Sequence, residues 1–404
     1  MIKACIIGIS GYGETHYKDL LREQEAGRSK LFAAAVINQE EEKEKCARLR
    51  EIGCEIFTDH RKMLRKYGKI CNVCFISTRI NLRTQMTIDA LRAECNVFVE
   101  KPLAVTVQDV RKIKDEASKN DRFVAVGYQH IYTEYIKLLK NTILENKLGR
   151  ILSISGMSLW PRNSKYYFRN NWAGKLKVGK DWVLDSPFNN ANAHILNVML
   201  FLAGGSFEKS AVPETIKAEL YRANNIESAD TASMRIMTDQ GISVFFSLTH
   251  ACEEMQNPIV EIHGEKGYAT WFCFEKIMFH YNNGITEECP IEAQDDARDK
   301  IFDHLFAKLA DKKAFVCDPG IAGAQTLAIN GAHKSCPVVR FVGDRHLYRV
   351  PSEDSTLTVI EGIEDIVRES FAERKLISEI ESAPPWAKPS QEFSLENLRD
   401  FTEI

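Results

Sequence analysis

The stretch that decides the fold lies at residues 96–102 and reads Asn96-Val97-Phe98-Val99-Glu100-Lys101-Pro102. Its three β-forming residues predict a short strand buried in a sheet, and a charged pair follows them directly. Pro102 cannot donate a hydrogen bond to a sheet ladder, so it marks the end of the strand. The stretch therefore delivers a carboxylate and an ammonium group to the carboxyl edge of a sheet, where open α/β sheets bind ligands. Taken alone, such a pair is more often a solvated ion pair, so its interpretation depends on the rest of the chain.

A glycine-rich turn follows the first predicted strand, residues 4–7, and reads Gly8-Ile9-Ser10-Gly11-Tyr12-Gly13. A strand, a glycine turn and a helix in succession present backbone N–H groups and a helix N-terminus to a pyrophosphate. Ser10 takes the place of the middle glycine of the usual pattern, and it is small enough to let a phosphate approach. A plain strand-to-helix turn is the alternative interpretation, and the position after the first strand favours a dinucleotide site.

The region that follows alternates strands and helices up to residue 126. Predicted strands at residues 31–37, 73–77 and 123–126 end next to polar residues such as Asn38 and Ser77. This alternation predicts a doubly wound parallel sheet, an α/β Rossmann domain. Asn38 lies about where such domains place a residue on the adenosine ribose. It can accept a bond from a ribose hydroxyl but has no charge to repel a 2′-phosphate, so NAD and NADP both stay open.

After residue 150 the pattern changes to successive strands separated by short turns such as residues 264–267. Consecutive strands with short turns predict an antiparallel sheet, here a large and mostly antiparallel open sheet in an α+β domain. We therefore expect a Rossmann domain over residues 1–126, a substrate and oligomerisation domain over 127–345, and a C-terminal extension over 346–404. A charged amphipathic helix predicted at residues 360–380 would pack back on the domains.

The segment between the first two strands of this sheet, residues 166–194, is the richest in chemically useful side chains. Aromatic rings stand beside Arg, Asn and Lys residues, and a helix follows that ends at Gly204. Such a mixture suits a polyhydroxylated ring, whose faces are apolar and whose edges carry hydroxyl groups. A packed loop of aromatic residues is the alternative, and the residues alone do not separate the two.

Composition excludes several classes of protein. The chain has 404 residues and a formal net charge of -3, so it lacks the basic footprint of a nucleic-acid-binding protein. Its 11 cysteines show no repeated spacing; we interpret Cys71 and Cys74 as buried thiols and predict no metal site and a reducing compartment. No apolar run approaches the ~20 residues of a membrane span, and the chain begins directly with a strand, so we expect a cytoplasmic protein without a membrane partner.

Several of these motifs together resemble a known family. Gly8-x-Ser10-Gly11-x-Gly13, Ser77-Thr78, Glu100-Lys101-Pro102 and Gly127-Tyr128-Gln129 occur in the order and spacing of the Gfo/Idh/MocA oxidoreductase family. The resemblance covers the first domain and continues into the second. It implies that NAD or NADP contacts a set of residues that comprises Gly8, Ser10, Gly11, Tyr12, Gly13, Asn38, Ser77, Thr78, Glu100, Lys101 and Gln129.

The same resemblance implies the residues that act on the substrate. Lys101 and His194 would be catalytic, with Asp185 as the family's carboxylate; Asn190, four residues before His194, is the other candidate for that position. The implied substrate contacts are Lys101, Tyr128, Arg169, Asn170, Trp172, Asn190 and His194. An alcohol loses hydride only if its hydroxyl proton also leaves, and the ordinary pKa of histidine, near 6.5, suits His194 as the base. The ammonium of Lys101 would stabilise the developing alkoxide.

The sequence therefore predicts an NAD(P)-dependent oxidoreductase that acts on a sugar, cyclitol or related polyol and forms a homodimer or homotetramer. One alternative is a glycosidase that retains its cofactor and cleaves by transient oxidation and elimination, so that no free NADH accumulates. Another is a non-catalytic regulator that senses a dinucleotide on the same fold. The presence of both Lys101 and His194 favours an enzyme over that regulator.

Overall fold

A computed structural model of the chain describes residues 1–291, 294–352 and 354–404. It divides into two compact units, the first formed by residues 1–128 with 301–322 and the second by residues 129–300 with 323–404. The sequence pattern gave no sign that residues 301–322 belong with the first unit, and the expected three-part division stays a prediction. Among the described helices, none combines the length and the apolar character that crossing a membrane requires.

A parallel sheet flanked by helices forms the first unit. Its strands are β1 (Ile2–Ile7), β2 (Ser29–Ala35), β3 (Glu55–Phe57), β4 (Val73–Ile76), β5 (Asn96–Val99) and β6 (Val124–Val126). Its helices are α1 (Gly13–Glu25), α2 (Lys43–Glu51), α3 (His60–Tyr67), α4 (Ile80–Arg92) and α5 (Val107–Lys119). The strand order is β3-β2-β1-β4-β5-β6, and every described pair is parallel, which confirms the predicted Rossmann architecture.

The strand order places a ligand crevice in this unit. The chain moves outward from β1 to β3 and then returns to the other side of β1 to form β4. The connections that follow β1 and β4 therefore diverge and open a gap at the carboxyl ends of the two strands. All four residues of β4 are buried, as are Val97, Phe98 and Val99 of β5, so these strands form the centre of the core.

An open sheet with helices on it forms most of the second unit. The strands of this unit are β7 (Ile151–Leu159), β8 (Lys177–Val178), β9 (Asp181–Trp182), β10 (Pro213–Arg222), β11 (Thr231–Thr238), β12 (Ser243–Thr249), β13 (Gln256–Gly264), β14 (Gly267–Phe272), β15 (Lys276–Tyr281), β16 (Thr286–Pro290), β17 (Arg340–Phe341), β18 (Leu347–Ser352), β19 (Ser355–Ile360) and β20 (Phe393–Ser394). Among these described strands, β8 pairs only with β9 and β18 only with β19, in two small sheets of their own. The remaining helices of the chain are α6 (Glu134–Leu144), α7 (Ser164–Phe168), α8 (Ala193–Leu202), α9 (Gln294–Ala310), α10 (Pro319–Ser335) and α11 (Ile363–Glu373).

The large sheet has the order β16-β15-β14-β13-β7-β12-β11-β10-β17, with β20 paired to β10. Its neighbouring strands are antiparallel except for the pairs β7 with β12 and β10 with β17, which are parallel. The prediction of a large, mostly antiparallel sheet is therefore confirmed. The first strand in sequence, β7, lies inside the sheet, because β13 pairs with its other edge.

Helices cover both faces of the sheet at β7. A Cβ added to Gly156 would lie 3.0 Å from Met199 Sδ, so α8 rests directly on one face. On the other face, Met157 belongs to a buried apolar cluster with Ile363, Val367 and Trp386. Helix α11 packs against β7 and β12 there, so the C-terminal residues complete the core of this unit.

The helix predicted at residues 360–380 is wrong at both ends. Residues Ser355–Ile360 form β19, and α11 runs only over Ile363–Glu373. The helix stops because Arg374 adopts a left-handed conformation, with φ of 55°. The chain beyond it is held by ion pairs, since Glu379 lies 2.8 Å from Lys217 Nζ and 2.9 Å from Arg235 Nη1.

Residues 301–322 complete the first unit. The ring of Phe302 stacks on that of Phe75 in β4, with centroids 5.7 Å apart. The Cys317 carbonyl accepts a hydrogen bond of 2.8 Å from the N–H of Val126, the last residue of β6. This distant segment therefore closes the edge of the parallel sheet.

Candidate active site

The glycine turn between β1 and α1 packs tightly into the crevice of the first unit. Gly8 has a φ of 87°, and a Cβ there would lie 2.7 Å from the Ser77 carbonyl oxygen. A Cβ on Gly13 would lie 2.6 Å from the Gly8 carbonyl oxygen. Both positions therefore require glycine, because any side chain would force the ends of β1 and β4 apart.

The middle of the same turn is open. Gly11 has a φ of 57°, and no heavy atom lies within 4 Å of the place where its Cβ would be. Tyr12 precedes the first turn of α1, and its side chain makes no capping hydrogen bond. An open glycine backbone at a helix N-terminus offers N–H groups and a positive dipole to an anion. The residues present thus fit the pyrophosphate of a dinucleotide.

Asn38 lies beside this turn, after β2, as the sequence predicts. Its Nδ2 donates to Ser10 Oγ at 3.1 Å and to Glu41 Oε2 at 2.8 Å. Lys45 reaches the same place, with Nζ 3.3 Å from the Ile9 carbonyl oxygen and 2.7 Å from Glu42 Oε2. The hydrogen bond from Lys45 lowers the pKa of the Glu42 carboxyl. This side of the turn is therefore lined by an amide, carboxylates and the ammonium group of Lys45.

Glu100 is a buried structural carboxylate. It is only 3% exposed, its Oε1 is 2.7 Å from His16 Nε2, and its Oε2 accepts from the Lys101 N–H at 3.1 Å. Burial raises the pKa of this carboxyl, but the hydrogen bond from His16 and the charges of Arg83 and Lys101 outweigh it, so the pKa is lowered overall. Glu100 thus ties α1 to the end of β5. A direct contact with the cofactor, as the family resemblance implies, stays a prediction.

Arg83 is an organising residue that the sequence reasoning missed. It lies on α4, and its Nη1 donates to the carbonyl oxygens of Glu100 and Pro102, each at 3.1 Å, and to that of Lys101. Its Nε donates to the Thr78 carbonyl oxygen at 2.9 Å. Burial lowers the pKa of the guanidinium to about 10. One side chain therefore joins the ends of β4 and β5 and fixes the backbone that carries Lys101.

The remaining predicted residues of this edge differ in exposure. Lys101 and Thr78 are half-buried, the Lys101–Pro102 peptide bond is cis, and Ser77 is buried. Tyr128 ends the first unit and is fully buried. Gln129 opens a 3-10 helix of the second unit and is 7% exposed.

In the second unit, the structure brings Asp185 and Asn190 together. Asp185 Oδ1 accepts from Asn190 Nδ2 at 2.8 Å, and Oδ2 accepts from the Gly174 N–H at 2.7 Å. Arg169 Nη2 lies 4.0 Å from the same carboxylate. The two candidates for the family's carboxylate position are thus hydrogen-bonded neighbours.

Arg169 belongs to a group of aromatic residues in the loop that follows β7. Its Cζ lies 3.6 Å from the centroid of the Tyr166 ring and 5.3 Å from that of Trp172. The side chain of Asn170 shapes this loop, because its Oδ1 accepts from the N–H groups of Trp172 at 3.0 Å and Ala173 at 2.8 Å. Asn170 therefore makes a local turn, and Arg169 is the exposed member of the group.

His194 lies in the first turn of α8 and is half-buried. Its ring meets that of His130 edge-on, with centroids 5.5 Å apart. His130 is fully buried, its Nδ1 is 2.6 Å from Tyr135 Oη, and burial lowers its pKa to about 4. His130 is therefore uncharged at neutral pH and does not repel a proton on His194.

The other end of α8 is held by Lys140. Its buried Nζ donates to the carbonyl oxygens of Phe201 and Gly204, each at 2.5 Å. Burial lowers the pKa of this ammonium to about 7. Sequence reasoning did not single out Lys140, because a lysine in an amphipathic helix is ordinarily exposed.

Among residues 1–291, 294–352 and 354–404, no group of three or more His, Cys, Asp or Glu side chains could hold a metal ion. Cys71 and Cys74 are both buried, and a hydrogen bond with Cys5, together with burial, raises the pKa of each thiol.

Comparison with known proteins identifies matching families on both units. Residues 2–128 match the GFO_IDH_MocA model, described as an oxidoreductase family with an NAD-binding Rossmann fold. Residues 136–270 match the model of the GFO/IDH/MocA C-terminal domain. Together the two matches cover more than half of the chain.

Individual relatives are distant. A glucose-6-phosphate 3-dehydrogenase of Bacillus subtilis is 25% identical over 136 residues, 33% of this chain but only 36% of that protein. An inositol 2-dehydrogenase of Pseudomonas savastanoi pv. phaseolicola is 24% identical over 270 residues, 66% of this chain and 73% of that protein.

Solved structures match over most of the chain. The WlbA dehydrogenase from Bordetella pertussis, in complex with NADH and UDP-GlcNAcA, has a TM-score of 0.65 at 21% identity, over 82% of this chain and 94% of that one. An NAD binding oxidoreductase from Klebsiella pneumoniae has a TM-score of 0.70 at 15% identity, over 83% of this chain and 96% of that one. At these identities the likeness shows the fold.

Proposed function

The chain belongs to the Gfo/Idh/MocA oxidoreductase family, and on that premise we propose that it transfers a hydride between a nicotinamide dinucleotide and a hydroxyl-bearing carbon of a sugar, cyclitol or related polyol. The matched model of the first unit is an NAD-binding one, which confirms the predicted family and cofactor type. Two distant relatives, an inositol 2-dehydrogenase and a glucose-6-phosphate 3-dehydrogenase, support a polyol as the substrate.

One observation carries the proposal. The turn at residues 8–13 lies at the crevice between β1 and β4, with the backbone of Gly11 open beside the N-terminus of α1. Tight packing of Gly8 and Gly13 on one side and open space at Gly11 on the other is what a pyrophosphate site requires. A plain turn such as that at Gly27 can be open too, so it is the combination with the packing at Gly8 and Gly13 that carries the argument.

We assign the chemistry to Lys101, His194 and Asp185. When bound, the nicotinamide ring accepts the hydride. His194, beside the uncharged His130, would take the hydroxyl proton of the substrate as general base. Lys101, on backbone fixed by Arg83, would stabilise the developing alkoxide with its ammonium. Asp185 would act as a positioning residue, since it holds Asn190 and the Gly174 backbone.

A substitution at the turn tests the cofactor site. Gly11→Val puts a side chain into the open space, and we expect the Kd for NAD to rise at least about tenfold. Gly27→Val is a matched control, because Gly27 lies in the same unit with a φ of 71° and open space around it. Both variants bear the same backbone strain, so fluorescence titration with NAD separates a lost site from lost stability. Equal affinities in the two variants would remove the turn from cofactor binding.

Turnover distinguishes the enzyme from its alternatives. Incubation with NAD and a panel of sugars and cyclitols should yield free NADH, measured by its absorbance. Cleavage of glycosides without free NADH would favour the glycosidase with retained cofactor. Tight NAD binding without any turnover would favour the dinucleotide-sensing regulator.

Assembly and location belong to the same proposal. We expect a homodimer or homotetramer in the cytoplasm, and light scattering on the purified protein tests the first of these expectations. A monomer at micromolar concentration would contradict it.

A further inference from the structure

A second group of polar side chains lies at one end of the large sheet. The chain continues beyond β7 alongside the end of β12, since the backbone N–H of Trp160 donates to the Thr249 carbonyl oxygen at 3.1 Å. The Arg162 N–H donates to the His250 carbonyl oxygen at 3.0 Å. Arg162 and His250, far apart in sequence, are thus held side by side by backbone hydrogen bonds.

Two guanidinium groups share one aromatic ring in this group. The Cζ atoms of Arg162 and Arg169 lie 5.2 Å and 3.6 Å from the centroid of the Tyr166 ring. Arg162 also lies 5.7 Å from the Trp160 ring. Contacts with the faces of aromatic rings hold both cations in place without neutralising their charge.

Carboxylates balance this charge only in part. Asp185 lies 4.0 Å from Arg169 Nη2 and accepts hydrogen bonds from Gly174 and Asn190. Arg162 forms no ion pair with any carboxylate of the described chain; its Nη1 donates to the Pro161 carbonyl oxygen at 3.1 Å. The group therefore carries surplus positive charge at Arg162.

Several buried atoms beside these cations have no partner in the described structure. His250 is 1% exposed, its ring lies 5.8 Å from that of Tyr166, and neither of its nitrogens is hydrogen-bonded. The same holds for Arg162 Nε and the Tyr167 hydroxyl. Burial, with the charges of Arg162 and Arg169, lowers the pKa of His250, so its neutral ring keeps one donor and one acceptor. Buried polar groups without partners are uncommon in folded proteins, and a ligand supplies partners for them.

We propose that Arg162, Arg169, Tyr167 and His250 bind an anionic group of the substrate, a carboxylate or a phosphate on the sugar or polyol. The planar fork of a guanidinium matches either oxyanion, and the neutral imidazole and the phenol hydroxyl donate further bonds to it. This inference rests on the proposed function and narrows its substrate to sugar acids or sugar phosphates. Arg162 and His250 become substrate-binding residues that the sequence did not indicate, whereas Tyr167 lies in the segment 166–194 that it singled out.

Matched ligands test the inference. Calorimetry with NAD-saturated protein would measure the Kd of hexoses, of their uronates and of their 6-phosphates, which differ only at one carbon. We expect an anionic member to bind at least about 30-fold more tightly than its neutral parent. The comparison of uronate with 6-phosphate identifies which anion the site takes.

Substitution of Arg162 provides a second test of the anion site. Arg162→Gln should remove most of the preference for the anionic ligand and change the affinity for the neutral parent less than about threefold. Arg162→Lys keeps the positive charge but not the planar fork, so its preference for the anionic ligand should lie between those of the wild type and Arg162→Gln. Arg150→Gln is the matched control, because Arg150 is an exposed residue of the same unit that pairs with Glu265. Circular dichroism verifies that each variant is folded.

The outcomes separate this inference from the proposed function. Equal affinity for neutral and anionic sugars, or a preference that survives Arg162→Gln, overturns the anion site and leaves the polyol reaction standing. If NAD binds but none of the sugars and cyclitols of the turnover panel does, the polyol reaction is wrong, and inorganic phosphate becomes the probe. A rise in melting temperature with phosphate that Arg162→Gln abolishes would then support the anion site, and its absence would overturn it.

Discussion

Two buried clusters, one in each unit, differ in whether their polar groups are hydrogen-bonded to one another. In the first unit, Glu100 accepts bonds from His16 and Lys101, and Arg83 donates to four carbonyl oxygens around it. In the second unit, neither nitrogen of His250 is bonded within the described structure. Groups that satisfy one another form a framework that is complete without a ligand, whereas groups left without partners need one. The comparison thus separates residues that hold the site from residues that bind in it.

The sharpest test of this difference compares stability at the two places. Glu100→Gln removes a buried charge from its network and should lower the free energy of unfolding by about 3 kcal/mol. His250→Leu removes polar atoms that have no partner, so it should cost less than about 1 kcal/mol or stabilise the protein. Chemical denaturation of both variants gives the two values.

An exposed carboxylate of the same unit serves as control for the first variant. Glu25 lies 3.6 Å from Arg48 with its side chain 72% exposed, so Glu25→Gln should leave the denaturation midpoint unchanged. Equal losses in Glu100→Gln and His250→Leu would break the comparison.

Substitution of the proposed catalytic residues should lower turnover without weakening the hydrogen-bonded network around Glu100 and Arg83. We expect Lys101→Ala and His194→Ala each to lower kcat about 100-fold or more, because one loses stabilisation of the alkoxide and the other the base. The Kd for NAD should change little, which fluorescence titration measures. Full activity in either variant removes that residue from the mechanism.

Lys140 makes the second unit sensitive to pH. Its folded pKa, about 7, lies below its ordinary value of 10.5, so between these values the unfolded chain binds more protons. This group therefore makes the folded state more stable as the pH rises through that range. Compared with Lys140→Met, the wild type should gain about 2 kcal/mol between pH 7 and pH 9. A difference between the two proteins that does not change with pH would mean that Lys140 keeps its ordinary pKa.

The smallest expected effect concerns the choice of cofactor. Glu41 accepts a hydrogen bond from Asn38 beside the turn, and its charge would repel a 2′-phosphate. Glu41→Gln should therefore lower the Kd for NADP and leave that for NAD unchanged. The decrease should be only about threefold, because the carboxylate is exposed and screened by salt. Glu44→Gln, an exposed residue of α2, controls for net charge. Equal affinity of the wild type for both cofactors would show that the carboxylates at this edge do not select between them.

Local patterns predicted the first unit well. A buried run such as residues 96–99 and a glycine turn directly after a strand are decided within a few residues, so the sequence shows them. The roles of His16 and Arg83 were missed because charged residues on amphipathic helices ordinarily face water. Only the folded sheet shows that both point to the ends of its strands.

The proposed anion site of the second unit depends on strand pairings that no local sequence pattern shows. Arg162 meets His250 because β7 pairs in parallel with β12, whereas strands in sequence with short turns indicate antiparallel neighbours. Asp185 and Asn190 were alternative candidates for the family's carboxylate position, because their distance from His194 along the sequence does not show that they are hydrogen-bonded to each other. The fold class was therefore predictable, but the partners of these polar residues were not.

The internal position of β7 also matters while the chain is being synthesised. Its two edges pair with Ser243–Thr249 and Gln256–Gly264, so neither edge is covered until about a hundred more residues have left the ribosome. The outer edge of the parallel sheet at β6 is covered later still, because the carbonyl that bonds to Val126 belongs to Cys317. We expect the nascent chain to expose the edges of β6 and β7 during much of translation, so its yield in the cell should depend on chaperones that shield such edges.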